Sequence, residues 1–200
     1  MSKKLQAGKQ SNQVRITGGV LKRSILRFPA THGLRPTCDR VRETLFNWLT
    51  PYIQGANCLD LFAGSGVLGL EALSRGARTC TLIEQDATAC QAIKQNLARL
   101  LPGQNHAHTT ILQQDALRWL NQLQDLSHYS VIFLDPPYQS SLLPKSLTLI
   151  AQQHRTLYQH AWFYLEHHQS LNSSLTQGLK PVKTAHYGQV YFGLYRAFDR

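Results

Sequence analysis

From Asn57 onward the sequence alternates short apolar runs with longer runs of helical period, and that rhythm leaves few folds open. Strand-like runs occupy residues 58–62, 79–84, 109–113, 131–134 and 162–165, and helical patterns occupy 67–74, 87–101, 116–123 and 145–153. Strand–helix–strand repeats with short connections make neighbouring strands parallel and bury both sheet faces under helices. The rhythm breaks at the end. Residues 179–186 and 189–197 are two strand-like runs joined near Tyr187-Gly188, with no room for a helix, so they must form an antiparallel hairpin. The expected fold is α/β: a mostly parallel, Rossmann-like sheet ending in an antiparallel hairpin, unlike a symmetric dinucleotide fold.

The first 50 residues are different in kind. Residues 1–12 read as a flexible basic arm. Residues 14–17 and 20–28 flank Gly18-Gly19, a pair suited to a two-residue hairpin turn. Thr37 is placed to cap a helix beginning at Cys38 and carrying Val41, Leu45 and Leu49 on one face, and Pro51 is placed to stop it. The domain plan is an arm over 1–12, a hairpin-and-helix extension over 13–52, and the α/β domain over 53–200.

Charge follows this division. Of the net charge of +10, residues 1–50 hold +8, from ten bases and the two acids Asp39 and Glu43. A basic block beside a nearly neutral domain suits a phosphate-backbone partner. The candidate nucleic-acid contacts are Arg15, Lys22, Arg23, Arg27, Arg35, Arg40 and Arg42. At 42% hydrophobic and 16% charged residues, the chain can bury a core. No apolar run reaches the roughly 18 residues of a membrane span, and Met1 to Gln13 lacks an apolar segment, which points to a cytoplasmic protein. The four cysteines lack CxxC spacing and read as small buried hydrophobes. No histidine pair has a plausible second ligand pair, so no metal site is expected.

Two motifs carry the chemistry. Asp60-Leu-Phe62-Ala-Gly64-Ser65-Gly66-Val-Leu-Gly69 closes the first core strand and opens a helix, and Glu84 stands 20 residues past Gly64. Glycines admit a ligand close to the backbone, and the acid suits a ribose diol, so the loop fits an adenosine cofactor. Asp60 separates the candidates: a carboxylate there repels a pyrophosphate but accepts from an amino group. S-adenosylmethionine (SAM) has an amino group and no phosphate. Asp115 is placed to accept the adenine amine and the Ala116 N–H to donate to the ring, a role compatible with helix capping by Asp115.

The second motif is Asp135-Pro136-Pro137-Tyr138, at the end of the buried run 131–134. Two prolines fix φ and remove two N–H donors, so the turn presents acceptors alone. The exocyclic amine of a nucleic-acid base is a poor nucleophile because its lone pair is delocalised. Accepting its two hydrogens on the Asp135 carboxylate and the Pro136 carbonyl favours a pyramidal nitrogen, and Tyr138 can stack on the base. The nitrogen becomes strongly acidic only once methylated, so a carboxylate of ordinary pKa is expected to suffice as proton acceptor.

These two motifs, with Arg15-Ile-Thr-Gly-Gly19, Leu34-Arg-Pro-Thr37 and Asp39-Arg-Val-Arg-Glu-Thr-Leu-Phe-Asn-Trp48, closely resemble the bacterial small-subunit (16S) rRNA guanine-N2 methyltransferase family, RsmD. The likeness runs from about residue 13 through the final strand. It implies a SAM-methyltransferase fold with a seven-stranded sheet, a basic N-terminal hairpin and a guanine in an rRNA hairpin loop as substrate, within an assembled or assembling 30S particle. It implies that Glu84 meets the ribose, Asp115 the adenine, and that the loop ending at Thr37 closes over the cofactor. At least one of Arg40 and Arg42 is expected to reach the methionine carboxylate or an RNA phosphate. The expected state is a monomer. Three rivals remain. An adenine-N6 or cytosine-N4 DNA methyltransferase usually needs a larger recognition region, whereas an unstacked RNA loop needs less. A non-catalytic RNA-binding assembly factor has no use for the intact Asp135 turn. An NAD oxidoreductase lacks a convincing proton donor.

Overall fold

The computed structural model describes residues 11–29, 37–102, 108–122, 126–137, 141–153, 160–170, 176 and 178–197. Strands β1 (Ser11–Arg15) and β2 (Ile25–Pro29) form a small antiparallel pair, followed by α1 (Asp39–Ile53). The main body runs β3 (Asn57–Asp60), α2 (Val67–Ser74), β4 (Thr79–Glu84), α3 (Ala87–Leu100), β5 (Thr109–Gln113), α4 (Ala116–Gln122), β6 (Val131–Leu134), α5 (Leu142–Gln153) and β7 (Trp162–His167). It ends in the hairpin β8 (Lys180–Tyr187) and β9 (Val190–Arg196). The seven-stranded sheet has the order β5-β4-β3-β6-β7-β9-β8. Its first five strands are parallel and β9 runs antiparallel to both neighbours. Among the described residues, no helix is long and apolar enough to cross a membrane and no group of His, Cys, Asp and Glu is arranged to hold a metal ion.

Alternation along the strands sorts the core into two layers. Cys58, Val131, Phe133, Tyr164 and Phe192 face α1, α2, α3 and the N-terminal strands, while Leu59, Ile132, Leu134, Phe163 and Tyr195 face α4 and α5. Val14, Ile16, Leu26 and Phe28 belong to the first layer, so the N-terminal strands share the core of the α/β body. Asn96 on α3 fastens them: its Oδ1 accepts from Arg27 N at 3.0 Å and its Nδ2 donates to Arg27 O at 2.8 Å.

The N-terminal segment departs from its sequence reading in three ways. The strand begins at Ser11, inside the expected arm, and Arg15 pairs with Ile25, so residues 16–24 form a compact nine-residue connection and not a two-residue turn. Gly18-Gly19 serve a close approach instead. Ser74 Oγ donates to Gly18 O at 2.6 Å, Val20 N donates to Ser74 O at 2.8 Å, and Gly19 has φ +78° with a would-be Cβ only 1.8 Å from Ser74 O. Cys38, which is exposed, takes the N-cap position of α1, because the Thr37 hydroxyl is engaged elsewhere. Pro51 lies inside α1. The last turn survives because Ile53 is buried and the Tyr52 ring stacks on Trp162 at 4.2 Å, which offsets the hydrogen bond that a proline forfeits.

A buried ion cluster joins α1 to α2. Glu71 is fully buried; its Oε1 accepts from Arg75 Nη2 at 2.8 Å and from the Thr17 hydroxyl, and its Oε2 lies 3.7 Å from Arg42 Nε. Arg42 donates on to Asp39 Oδ1 at 2.6 Å and to the Arg15 carbonyl at 2.8 Å. Removing one partner of a buried pair strands the other charge. Arg42→Met should therefore cost about 3 kcal/mol, the low end for such breakage because Arg75 still faces Glu71. Urea unfolding of the two proteins measures the difference.

Candidate active site

The sheet order sets a row of acids along one edge. Asp115 follows β5, Glu84 ends β4, Asp60 ends β3, Asp135 follows β6, and Glu166 stands near the end of β7. These strands are neighbours in that order, so all five lie at the carboxyl edge, where open α/β sheets bind ligands.

The glycine loop is pinned to this edge from below. Leu61 N donates to Phe133 O at 3.2 Å and Ala63 N to Ile83 O at 2.9 Å, tying the loop to both neighbouring strands. Gly66 caps α2 in the left-handed region at φ 76°, and a Cβ there would meet Ile93 Cγ1 at 2.9 Å. Phe62 and Gly64 are half-buried and Ser65 is buried. Glu84 accepts from Gly64 N and Asp86 N, each at 2.8 Å, one on each oxygen. A carboxylate has about four lone-pair sites, so capacity is left for a ribose diol. Asp115 Oδ1 accepts from Arg118 N at 2.8 Å and caps α4, and its side chain remains exposed beside the buried Ala116.

Asp60 is 1% exposed. Its Oδ2 accepts from Gly69 N at 3.2 Å, and Oδ1 is buried without a hydrogen-bond partner. Burial first, then the nearby Glu84 charge, pushes its pKa up to about 7, against the backbone donors of Gly69 and Phe62. An orphaned, buried carboxylate oxygen beside a glycine cradle is the environment that a cationic amino donor satisfies. The residues present therefore fit SAM.

Asp135 is half-buried, and its Oδ2 accepts from the Thr37 hydroxyl at 2.8 Å. Pro136 is buried and Pro137 exposed. Asp135 is not the ordinary carboxylate expected from the sequence: burial, then the charge of Glu166, hold its pKa well above the usual range, Asp60 adds to the rise, and Thr37 opposes it. Glu166 itself is buried and accepts from the Tyr164 hydroxyl at 2.6 Å. The sequence reading missed it; an acid just past an apolar run, in the strand beside β6, was the available signal. Tyr138, Leu34, Arg35 and Pro36 lie outside the described residues.

The basic residues separate. Lys22, Arg23 and Arg27 are exposed on the N-terminal hairpin, and Arg15 is exposed while pairing with Asp39 Oδ2 at 2.7 Å. Arg42 corrects an expectation: its side chain is 0% exposed within the ion cluster and cannot meet a phosphate. Arg40, in contrast, is exposed over the Tyr187 ring.

With this geometry fixed, comparison with known proteins is decisive. The family described as conserved hypothetical protein 95 matches residues 14–196. Ribosomal RNA small subunit methyltransferase D of Escherichia coli is 41% identical over 195 residues, covering 93% of this chain and 91% of the relative. The chain belongs to the ribosomal RNA small subunit methyltransferase D family. The Haemophilus influenzae protein of that name is 43% identical over 150 residues, covering 75% of this chain and 77% of the relative. The solved structure of the Escherichia coli protein yhhF superposes with a TM-score of 0.78 at 36% identity, covering 93% and 98% of the two chains.

The Asp60 environment makes a prediction for this family member that needs no substrate. An acid whose folded pKa is raised binds more protons when folded, so its contribution to stability falls as pH rises from its unfolded pKa near 3.8 to about 7. Asp60→Asn should remove that slope. The unfolding free energy of the variant relative to the parent should rise by up to about 4 kcal/mol between pH 4 and pH 8 in cofactor-free protein. Chemical denaturation at each pH tests this, and parallel curves would contradict it.

Proposed function

We propose that this chain transfers a methyl group to the exocyclic N2 amine of a guanine in small-subunit (16S) rRNA, with SAM as cofactor. The observation that carries the reading is Asp135: a carboxylate held by Thr37 at the exit of β6, one strand from Asp60 and the glycine loop. The relatives named for small-subunit rRNA methylation support the substrate class. When bound, SAM supplies an electrophilic methyl group on a sulfonium.

The chain's own residues then divide the work. Asp60, with its unpartnered Oδ1, accepts the cofactor's amino group; Glu84 accepts from the ribose and Asp115 from the adenine. Asp135 accepts one amine hydrogen of the target base and the Pro136 carbonyl the other. Holding both hydrogens localises the nitrogen lone pair and aims it. Alignment of this kind accounts for up to about 7–11 kcal/mol of barrier in well-oriented systems. The raised pKa of Asp135 makes it a stronger base for the proton that the methylated nitrogen sheds. Thr37 fixes the carboxylate's rotamer, and Tyr138 is assigned the stacking role. The exposed face carrying Arg15, Lys22, Arg23 and Arg27 meets the RNA backbone, and Arg35 is assigned the same role. We assign residues 11–52, from the start of β1, to an RNA-binding and cofactor-covering extension and 53–200 to the methyltransferase domain, acting as a cytoplasmic monomer on an assembled or assembling 30S particle.

The deciding test is incubation with methyl-labelled SAM and small-subunit RNA from cells lacking the gene, followed by nucleoside analysis. N2-methylguanosine is expected; N6-methyladenosine or no label would defeat the reading. Asp135→Ala should lower the rate by about 10²–10⁴-fold with SAM binding retained. Because Asp135 acts ionised, the rate should rise with pH through its raised pKa. Thr37→Val removes the donor that lowers that pKa, so the acidic limb of the pH–rate profile should move to higher pH, and an unmoved limb would sever Thr37 from the chemistry.

A further inference from the structure

We infer that Arg40 and Tyr187 form a base-stacking platform through which the C-terminal hairpin grips the RNA beside the catalytic turn. The inference rests on the methyltransferase reading above and extends it to a part of the fold that the basic N-terminal block does not include.

Strand direction fixes the location. β7 is parallel to β6, and β9 is antiparallel to β7 with His167 opposite Tyr191. The start of β9 and the β8–β9 turn therefore lie at the carboxyl edge, the edge that carries Asp135. Arg40 reaches the same edge from the other side, in the first turn of α1 and three residues past Thr37, whose hydroxyl holds Asp135. The cofactor half of the edge is β3, β4 and β5. The Arg40–Tyr187 pair lies across Asp135 from it, on the half left for the substrate.

The pair has the chemistry of a base platform. The Arg40 guanidinium carbon sits 4.5 Å from the centroid of the Tyr187 ring, and Arg40 Nη1 donates to the Tyr187 hydroxyl. Tyr187 keeps 42% of its surface exposed at a hairpin tip, where a large ring has no core to fill. Among the described residues Arg40 makes no ion pair with a carboxylate. A stacked, pre-ordered guanidinium and phenol loses little entropy when a third flat group joins. No acid of its own segment opposes a polyanion there: from His167 to Phe198 the chain carries no Asp or Glu. Lys180 and Lys183 are exposed on edge strand β8. Lysines on a sheet edge also discourage strand pairing, but that does not call for an exposed aromatic ring under an arginine.

The experiment uses the full chain and small-subunit RNA from cells lacking the gene. Tyr187→Ala should raise the KM for RNA and the RNA dissociation constant about tenfold, the scale of one lost base stack. The kcat at saturating RNA should stay within about twofold and SAM affinity should not change. Tyr187→Trp should restore RNA affinity. Tyr187→p-benzoylphenylalanine should crosslink to RNA on irradiation. Unchanged RNA binding and KM in Tyr187→Ala, with methylation intact in the parent, would overturn the platform and leave the methyltransferase reading standing. Weakened RNA binding in Tyr187→Ala, with a parent that binds RNA but forms no N2-methylguanosine, would do the reverse. A crosslink to a ribosomal protein and not to RNA would also overturn the platform.

Discussion

The buried carboxylate of Glu71 organises this molecule. It is the lone acid of an otherwise apolar helix, 0% exposed, and an uncompensated charge there would cost several kcal/mol. Its compensation comes from three directions: Arg75 from the end of its own helix, Arg42 from α1, and Thr17 from the N-terminal connection. The N-terminal extension is thus tied to the α/β body through a buried charge that Arg75 shares with Arg42 and Thr17. The consequence is functional. α2 begins at the glycine loop, and α1 begins two residues past Thr37, the residue that holds Asp135. One buried cluster ties the helix that follows the glycine loop to the helix that follows Thr37.

A second constraint is the crowding of acids at one sheet edge. Asp60, Asp135 and Glu166 follow the same strand register on three adjacent strands, with Asp60 opposite Phe133 and Phe133 opposite Tyr164, and they share the face turned toward α1. Burial raises the pKa of Asp60 and of Asp135, and neighbouring acids add to it: Glu84 for Asp60, Glu166 and Asp60 for Asp135. Without ligand the edge is electrostatically unfavourable. A cation arriving at Asp60 relieves it, and so does a hydrogen-bond donor arriving at Asp135. Under the proposed function, a cationic cofactor group and an amine-bearing base are the ligands that would relieve this crowding.

Where local pattern decided the outcome, the sequence was readable. The parallel strands, their helices and the terminal hairpin fall within a few residues of their expected places, because a buried β-run or an amphipathic helix announces itself by period alone. The two motifs were also legible, since prolines and glycines act through backbone chemistry that travels with the residue. What escaped was decided by contacts distant in the chain. Gly18-Gly19 has the composition of a tight turn, but Ser74, more than 50 residues away, requires those glycines for a close approach. Thr37 has the position of a helix cap, but its hydroxyl finds Asp135. Arg42 sits in a basic segment like a phosphate ligand, and only the burial of Glu71 shows why it turns inward. Glu166 and Tyr187 carried no local signal beyond their place at strand ends.

The sheet topology explains why one fold can serve both halves of the reaction. Strand order places β4 and β5 outward of β3 on one side and β6, β7, β9 and β8 on the other. The cofactor-side acids, Asp60, Glu84 and Asp115, fall on the first half; Asp135 and Glu166 fall on the second. The antiparallel β9 matters here. A parallel final strand would send its connection to the opposite edge, far from Asp135. Reversing it brings the β8–β9 turn, with Tyr187, back to the catalytic edge, where α1 meets it through Arg40. The terminal hairpin that breaks the strand–helix rhythm of the sequence is therefore what returns the chain to the edge that carries Asp135.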